Sequence, residues 1–194
     1  FRLIPPSTLQ AYMEQICAEE GVTATAGVMP MVVRAGAGSV RDSLSVLDQL
    51  IAGTDGELDY LTAAALLGFT SATLLDDAVG AIAGRDGAAL FAVVDRMVSS
   101  GHDPRRFVED LLQRLRDVII LALAGEAGAS ALGPLPADQL TAMMEQSHHL
   151  GAAAATRAAD LAHTALTEMT GATSPRLQLE LLCARLLLPA ADGD

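Results

Sequence analysis

Apolar residues recur three and four apart along most of the chain, the spacing that gathers them on one face of a helix. Leu9, Met13, Ile16 and Cys17 form the first stripe, which stops at Gly21 and leaves Glu14, Glu19 and Glu20 on the wet face. Pro5, Pro6 and Ser7 mark its start, with prolines outside or in the first turn and Ser or Thr as the cap. A second, short helix is predicted over Gly27 to Ala35, with Met29, Val32 and Val33 inward. Its Pro30 falls in the first turn, where a missing N–H is tolerated. Next come the two glycines of Ala35-Gly36-Ala37-Gly38-Ser39, a tight exit, and a serine that caps a third helix. Ser39 and Asp42 fit the Ser-x-x-acid capping pattern. This third helix is expected to bury Val40, Leu44, Leu47, Leu50 and Ile51. It ends at Ala52-Gly53-Thr54-Asp55-Gly56, the strongest linker signal in the chain, so residues 1–55 read as a three-helix unit.

The pattern continues beyond the linker. Leu61 to Leu67 predicts a short helix that stops at Gly68. Ser71 caps a helix carrying Leu74, Leu75, Val79 and Ile82, and Asp86 caps another with Leu90, Phe91, Val94 and Met97 inward to Gly101. Asp103-Pro104 opens the longest one, with Phe107, Leu111, Leu115, Val118 and Ala122 on one face. Asp110 and Arg114 stand on it as an i,i+4 pair. Gly125 to Pro136 reads as an exposed loop. Helices resume over Ala137–His149 and Ala152–Met169, and from Ser174-Pro175 through Leu188. The last is apolar nearly all round, which means burial on more than one side, within the domain or against a partner. No period of 20–50 residues marks a solenoid.

Composition sharpens this picture. Ala and Leu dominate, aromatics are 3%, and β-branched residues are sparse, so the fold class is all-α. The formal charge is −12 and every basic residue is Arg, with no Lys. So acidic a chain repels a phosphate backbone, and little direct DNA contact is expected. An anionic membrane surface is disfavoured for the same reason, and uncharged stretches such as Val118 to Gly125 are too short to span a bilayer. Cys17 and Cys183 lack metal-ligand spacing and read as small buried residues in a reducing compartment. The chain opens on Phe-Arg-Leu with no signal pattern, and reads as part of a larger cytoplasmic protein.

Candidate chemistry is sparse. His148 and His149 are adjacent, so their rings diverge by about 100° on a helix and make a poor metal pair. His102 sits at a helix end, and His163 lies mid-helix among alanines. No nucleophile elbow, dinucleotide fingerprint or Lys-containing phosphate loop is present. Neither catalytic residues nor metal ligands emerge, and the chain by itself reads as no enzyme. One run stands out: Gly38-Ser39-Val40-Arg41-Asp42-Ser43-Leu44-Ser45. Arg41 falls in the first turn of its helix, where the dipole makes a cation unfavourable by a few tenths of a kcal/mol. That mismatch makes sense if an anion such as a nucleotide phosphate approaches the same helix end. The competing reading is a surface residue paired with a nearby carboxylate.

The run Ala35–Gln49 resembles the sensor-2 helix of bacterial clamp-loader AAA+ ATPases, most closely the gamma/tau family of DNA polymerase III, with its Gly-Ser-(apolar)-Arg-Asp-(small)-Leu-Ser pattern. Phe1-Arg2-Leu3 resembles the exit strand of that family's ATPase core, Leu9–Glu20 its first lid helix, and Leu66-Leu67-Gly68 the motif opening its collar. The resemblance implies a small three-helix lid over residues 1–55, a helical collar (oligomerisation) domain over 56–189 and a tail over 190–194. It implies that Arg41 contacts the phosphates of ATP, held with Mg²⁺ by a core domain lying outside these residues. It further implies that the collar joins other clamp-loader subunits, with self-association expected from the apolar surplus of Leu177–Leu188. The alternative is a helical ligand-sensing domain of a transcriptional regulator. That reading explains the Ala/Leu-rich bundle but neither the Arg41 run nor the break at 53–56.

Overall fold

Capping chemistry and helical stripes set the helix boundaries in the computed structural model, which describes residues 4–171 and 174–189. The expected Phe1–Leu3 strand and the 190–194 tail lie outside those residues. Two compact units emerge. One holds the chain to Phe69 together with Gly133–Pro136; the other holds Thr70–Leu132 and the chain from Ala137 onward.

The first unit contains α1 (Pro6–Glu19), β1 (Thr23–Ala24), α2 (Val28–Ala35), α3 (Val40–Ala52), β2 (Glu57–Leu58) and α4 (Tyr60–Leu66). Pro6 supplies the helical φ at the start of α1. Pro5 is the N-cap and makes no side-chain cap bond, so Ser7 lies inside the helix rather than capping it. Leu9, Met13 and Cys17 of α1 are sealed against Val28, Met29, Val32, Val33, Leu47 and Leu50. Full burial of each such leucine contributes about 2 kcal/mol. From α3 the core takes Ser43, Leu47 and Leu50, while Val40, Leu44 and Ile51, expected inward, are half-buried. The linker does not hang free. Thr23 N–H donates to the Gly56 carbonyl at 2.9 Å and Thr25 N–H to that of Leu58 at 3.0 Å, closing a two-rung parallel pair of β1 with β2. Ala63 and Ala64 of α4, with Leu58 and Phe69, complete this core. The Arg34 guanidinium, in the last turn of α2, lies 4.1 Å from the centre of the Phe69 ring.

The second unit is a bundle of α5 (Ala72–Gly84), α6 (Gly87–Ser99), α7 (Pro104–Ala124), α8 (Ala137–Met169) and α9 (Pro175–Leu187). Ser71, Asp86, Asp103 and Ser174 accept from first-turn N–H groups at 3.3, 2.9, 2.9 and 3.3 Å, the first two as the sequence predicted. α8 is broken at Gly151, whose φ of 72° and ψ of 157° no helix contains, so the two helices expected there meet at this residue. Phe107, Val108, Leu111 and Leu115 of α7 belong to its core.

In the second unit, three further expectations differ from the structure. Phe91 is 40% exposed, and Val93 takes its place inside. The segment Gly125–Leu132 is not an open loop but a 3₁₀ helix, with Gly128 buried against Ile120 and Ala124 of α7. The Asp110–Arg114 pair does not form. Arg114, 6% exposed, donates to Asp76 and Gln146, while Gln146 Nε2 donates to Asp76 at 2.7 Å, tying α5, α7 and α8 together. Asp110 instead accepts the Thr70 N–H at 2.7 Å and faces Arg106 Nε at 3.5 Å. Arg114 thus takes cross-helix partners, whereas Asp110 keeps a cation one turn away on its other side, Arg106, because a buried charge needs several donors or acceptors at once.

Asp117 of α7 accepts from Gln113 Nε2 at 3.1 Å and Arg116 Nη1 at 2.7 Å. Burial nevertheless pushes its carboxyl above the ordinary carboxylate range, outweighing the pull of Arg116 and Gln113. A raised folded-state pKa means that the contribution of this group is complete below the unfolded value and is lost as pH rises through the folded one. Asp117→Asn, which keeps an acceptor for both partners, is therefore expected to be more stable than the parent chain at about pH 7. That advantage should fade as pH falls through about 4; urea unfolding of both chains across that range checks it. Both cysteines are buried and free. Burial raises the Cys17 thiol and pushes Cys183 up to about 12, so neither is a poised nucleophile. No helix among the described residues is long and apolar enough to cross a membrane.

Candidate functional site

The turn between α2 and α3 builds the site. Gly36 caps α2, and Ala37 and Gly38 follow with φ of 50° and 77°, reversing the chain within two residues. Three N–H groups fold this reversal back onto α2: Gly36 to the Val32 carbonyl at 2.9 Å, Ala37 to Arg34 at 3.1 Å and Gly38 to Val33 at 3.3 Å. Ser39 then caps α3, its hydroxyl accepting the Asp42 N–H at 3.3 Å. The capping pattern read from the sequence is thus the device that starts the helix where it does.

Arg41 is the second residue of α3 and is exposed. Its carbonyl accepts the Ser45 hydroxyl at 3.1 Å. Among the described residues no carboxylate pairs with its guanidinium, Asp42 included, so the competing surface-pair reading finds no support here. The N–H groups of Val40 and Arg41, the first two of the helix, likewise meet no acceptor among the described residues. A guanidinium and two free N–H groups on a helix N-terminus form a donor set suited to a phosphate oxygen. No group of three His, Cys, Asp or Glu among the described residues could hold a metal ion. His148, His149 and His163 are exposed on α8.

One residue behind the site escaped the sequence reading. Ser43, fully buried at 0% exposure, packs its backbone directly on Gly36, fixing α3 against the end of α2. A buried serine in a leucine stripe, one turn after the capping serine, is the signal that could have found it.

Models of known families match two successive segments. Residues 8–56 match the DNA polymerase III clamp loader subunit, ATPase lid domain, and residues 59–192 match DNA polymerase III subunits gamma and tau, domain III. The DNA polymerase III subunit gamma/tau of Mycobacterium tuberculosis is 50% identical over 192 residues, 98% of this chain and 33% of that protein. The subunit tau of Bacillus subtilis is 22% identical over 187 residues, 96% of this chain and 32% of its own. The chain thus spans about a third of the length of these curated relatives. Among solved structures, the Bacillus subtilis DNA clamp loader delta protein aligns with a TM-score of 0.52 at 15% identity, covering 96% of this chain and 57% of that one. At that identity the likeness concerns the fold alone. None of these matches is to a transcriptional regulator.

Proposed function

We propose, for a chain that belongs to the family of DNA polymerase III subunits gamma and tau, that residues 1–55 act as a nucleotide-sensing lid and residues 56–189 as the collar that assembles a clamp-loader ring. The observation that carries the lid half is the exposed Arg41 guanidinium, unpaired among the described residues at a helix N-terminus that also offers two free N–H groups. ATP, bound with Mg²⁺ by a core domain of the parent protein, supplies the phosphate charge there. Arg41 pairs with that charge by charge-assisted hydrogen bonds, and the Ser39 cap and the Gly36–Ser43 packing hold its helix rigid behind it. Nucleotide state then biases the lid, because an arrangement that makes the ion pair is favoured only while the phosphate is present.

The collar half is supported by α9. Leu177 and Leu181 are 51% and 43% exposed, and with exposed Ala184 they stand at i, i+4 and i+7 on one face, with Leu188, 61% exposed, at the C-cap just beyond. Such an unpartnered apolar seam suits packing against the helices of neighbouring clamp-loader subunits or of a second copy. The charge of −12 suits a cytoplasmic module that leaves DNA contact to other domains.

The two halves separate by mutation in the full-length protein. Arg41→Ala is expected to lower ATP-driven clamp loading about tenfold or more while ring assembly, followed by sedimentation, stays intact. Leu181→Asp is expected to weaken assembly first. Normal ATP-driven loading by Arg41→Ala would remove this residue from the mechanism.

A further inference from the structure

A groove on the first unit uncovers residues whose sequence pattern marks them as core. It runs between α1 and α3 and is lined by Ile16, Glu20, Leu44, Leu47, Asp48 and Ile51, with a volume of about 310 Å³. Only Leu47 is sealed, at 1% exposure, whereas Ile16, Leu44 and Ile51 remain half-buried. Each of those three belongs to a stripe that amphipathic spacing assigns to the interior, so the apolar floor is longer than the unit itself can cover. From Leu44 to Ile51 the floor extends about 10 Å along α3, the length of two helical turns.

The rim is acidic. Glu20 and Asp48 are both exposed, and among the described residues neither has a cationic partner. Among the described residues the first unit has little to offer them: Arg34 lies over Phe69, Arg41 stands two helical turns before Asp48, and the chain contains no Lys. A second copy carries the same charge of −12 and would bring acid to acid.

We propose that this groove receives an amphipathic helix of another protein, one that presents two aliphatic side chains a turn apart with Lys or Arg on their flanks. The aliphatic pair fills the floor over Leu47 beside Ile16, Leu44 and Ile51, and the flanking cations meet Glu20 and Asp48. This is the helix-in-groove mode of recognition, in which anchors supply affinity and rim charges supply register. It is independent of the role given to Arg41.

Three synthetic helical peptides test it against the 194-residue chain by fluorescence anisotropy: one with Leu anchors and Lys flanks, one with Ala anchors and Lys flanks, and one with Leu anchors and Glu flanks. The Leu/Lys peptide is expected to bind at least about tenfold more tightly than either of the others. Leu44→Gln, and separately Glu20→Arg with Asp48→Arg, should each weaken it by a similar factor. All three positions are exposed or half-buried, and unchanged circular dichroism confirms that the variants fold. Equal binding of the Leu and Ala peptides, or binding indifferent to these substitutions, would reduce the effect to general charge attraction and overturn the proposal. So would absence of binding, and so would a concentration-dependent dimer that Leu44→Gln abolishes, which would give the groove to a second copy.

Discussion

Gly36→Ala is expected to destabilise the first unit by about 3 kcal/mol, an unusually large effect for a single added methyl group. A Cβ at Gly36 would overlap the Ser43 hydroxyl and stand 2.6 Å from the Ser43 nitrogen and 2.7 Å from its Cα. The first contact could be relieved by trimming the side chain. The other two are backbone, so α3 itself must move away from the end of α2. Ser43→Ala should therefore fail to rescue Gly36→Ala, which sets a close backbone approach apart from a side-chain clash. Gly38→Ala is the natural comparison. It has a φ of +77° but nothing within 4 Å of the added carbon, so it should cost only the backbone strain of about 1 kcal/mol. Thermal unfolding of the three variants checks the order. The displacement matters for function as well, because the same helix carries Arg41 two residues before Ser43.

Asp110→Ala should cost the second unit about 3 kcal/mol. Asp110 is 3% exposed and accepts the N–H of Thr70, itself 5% exposed, at 2.7 Å. Deleting the carboxylate strips a buried backbone donor of that acceptor and alters the charge facing Arg106. Asp110→Asn keeps an oxygen for Thr70 and should recover much of the loss. The consequence is local as well as global: Thr70 leads into the Ser71 cap of α5, so amide exchange at the start of α5 should quicken in the alanine variant. By contrast, breaking the exposed Arg96–Asp77 pair, whose side chains are 52% and 44% exposed, should change stability by less than about 1 kcal/mol. An Asp110→Ala variant no less stable than that one would refute the burial argument.

The helices were legible because their boundaries are local chemistry. Ser39, Ser71 and Asp86 each sit where a cap was expected, Asp103-Pro104 and Ser174-Pro175 open helices where those pairs were read as starts, and Gly151 breaks α8 between the two apolar stripes that flank it. What escaped was set by tertiary competition. Leu90, Phe91, Val93 and Val94 are all apolar, and spacing alone does not rank Phe91 against Val93 for the interior. The i,i+4 rule paired Asp110 with Arg114, whereas acceptors on α5 and α8 drew Arg114 away. The Gly- and Ala-rich stretch after α7 carried loop composition, yet its small residues let a 3₁₀ turn close down on Ile120 and Ala124. At the site, the charge mismatch of Arg41 was visible in the sequence. The Gly36–Ser43 approach that holds its helix was not, because it joins backbones of two elements and leaves no periodic trace.

The nucleotide-sensing role proposed for the lid turns on the exposed Arg41 guanidinium meeting a phosphate of ATP. The most direct measurement is the ¹⁵N NMR signal of the Arg41 side chain in full-length protein labelled on this segment alone. Addition of ATP should shift that signal and slow rotation of the guanidinium, while adenosine, which lacks phosphate, should leave both unchanged. An Arg41 signal indifferent to ATP, in protein shown by the same titration to be nucleotide-bound, would contradict the account.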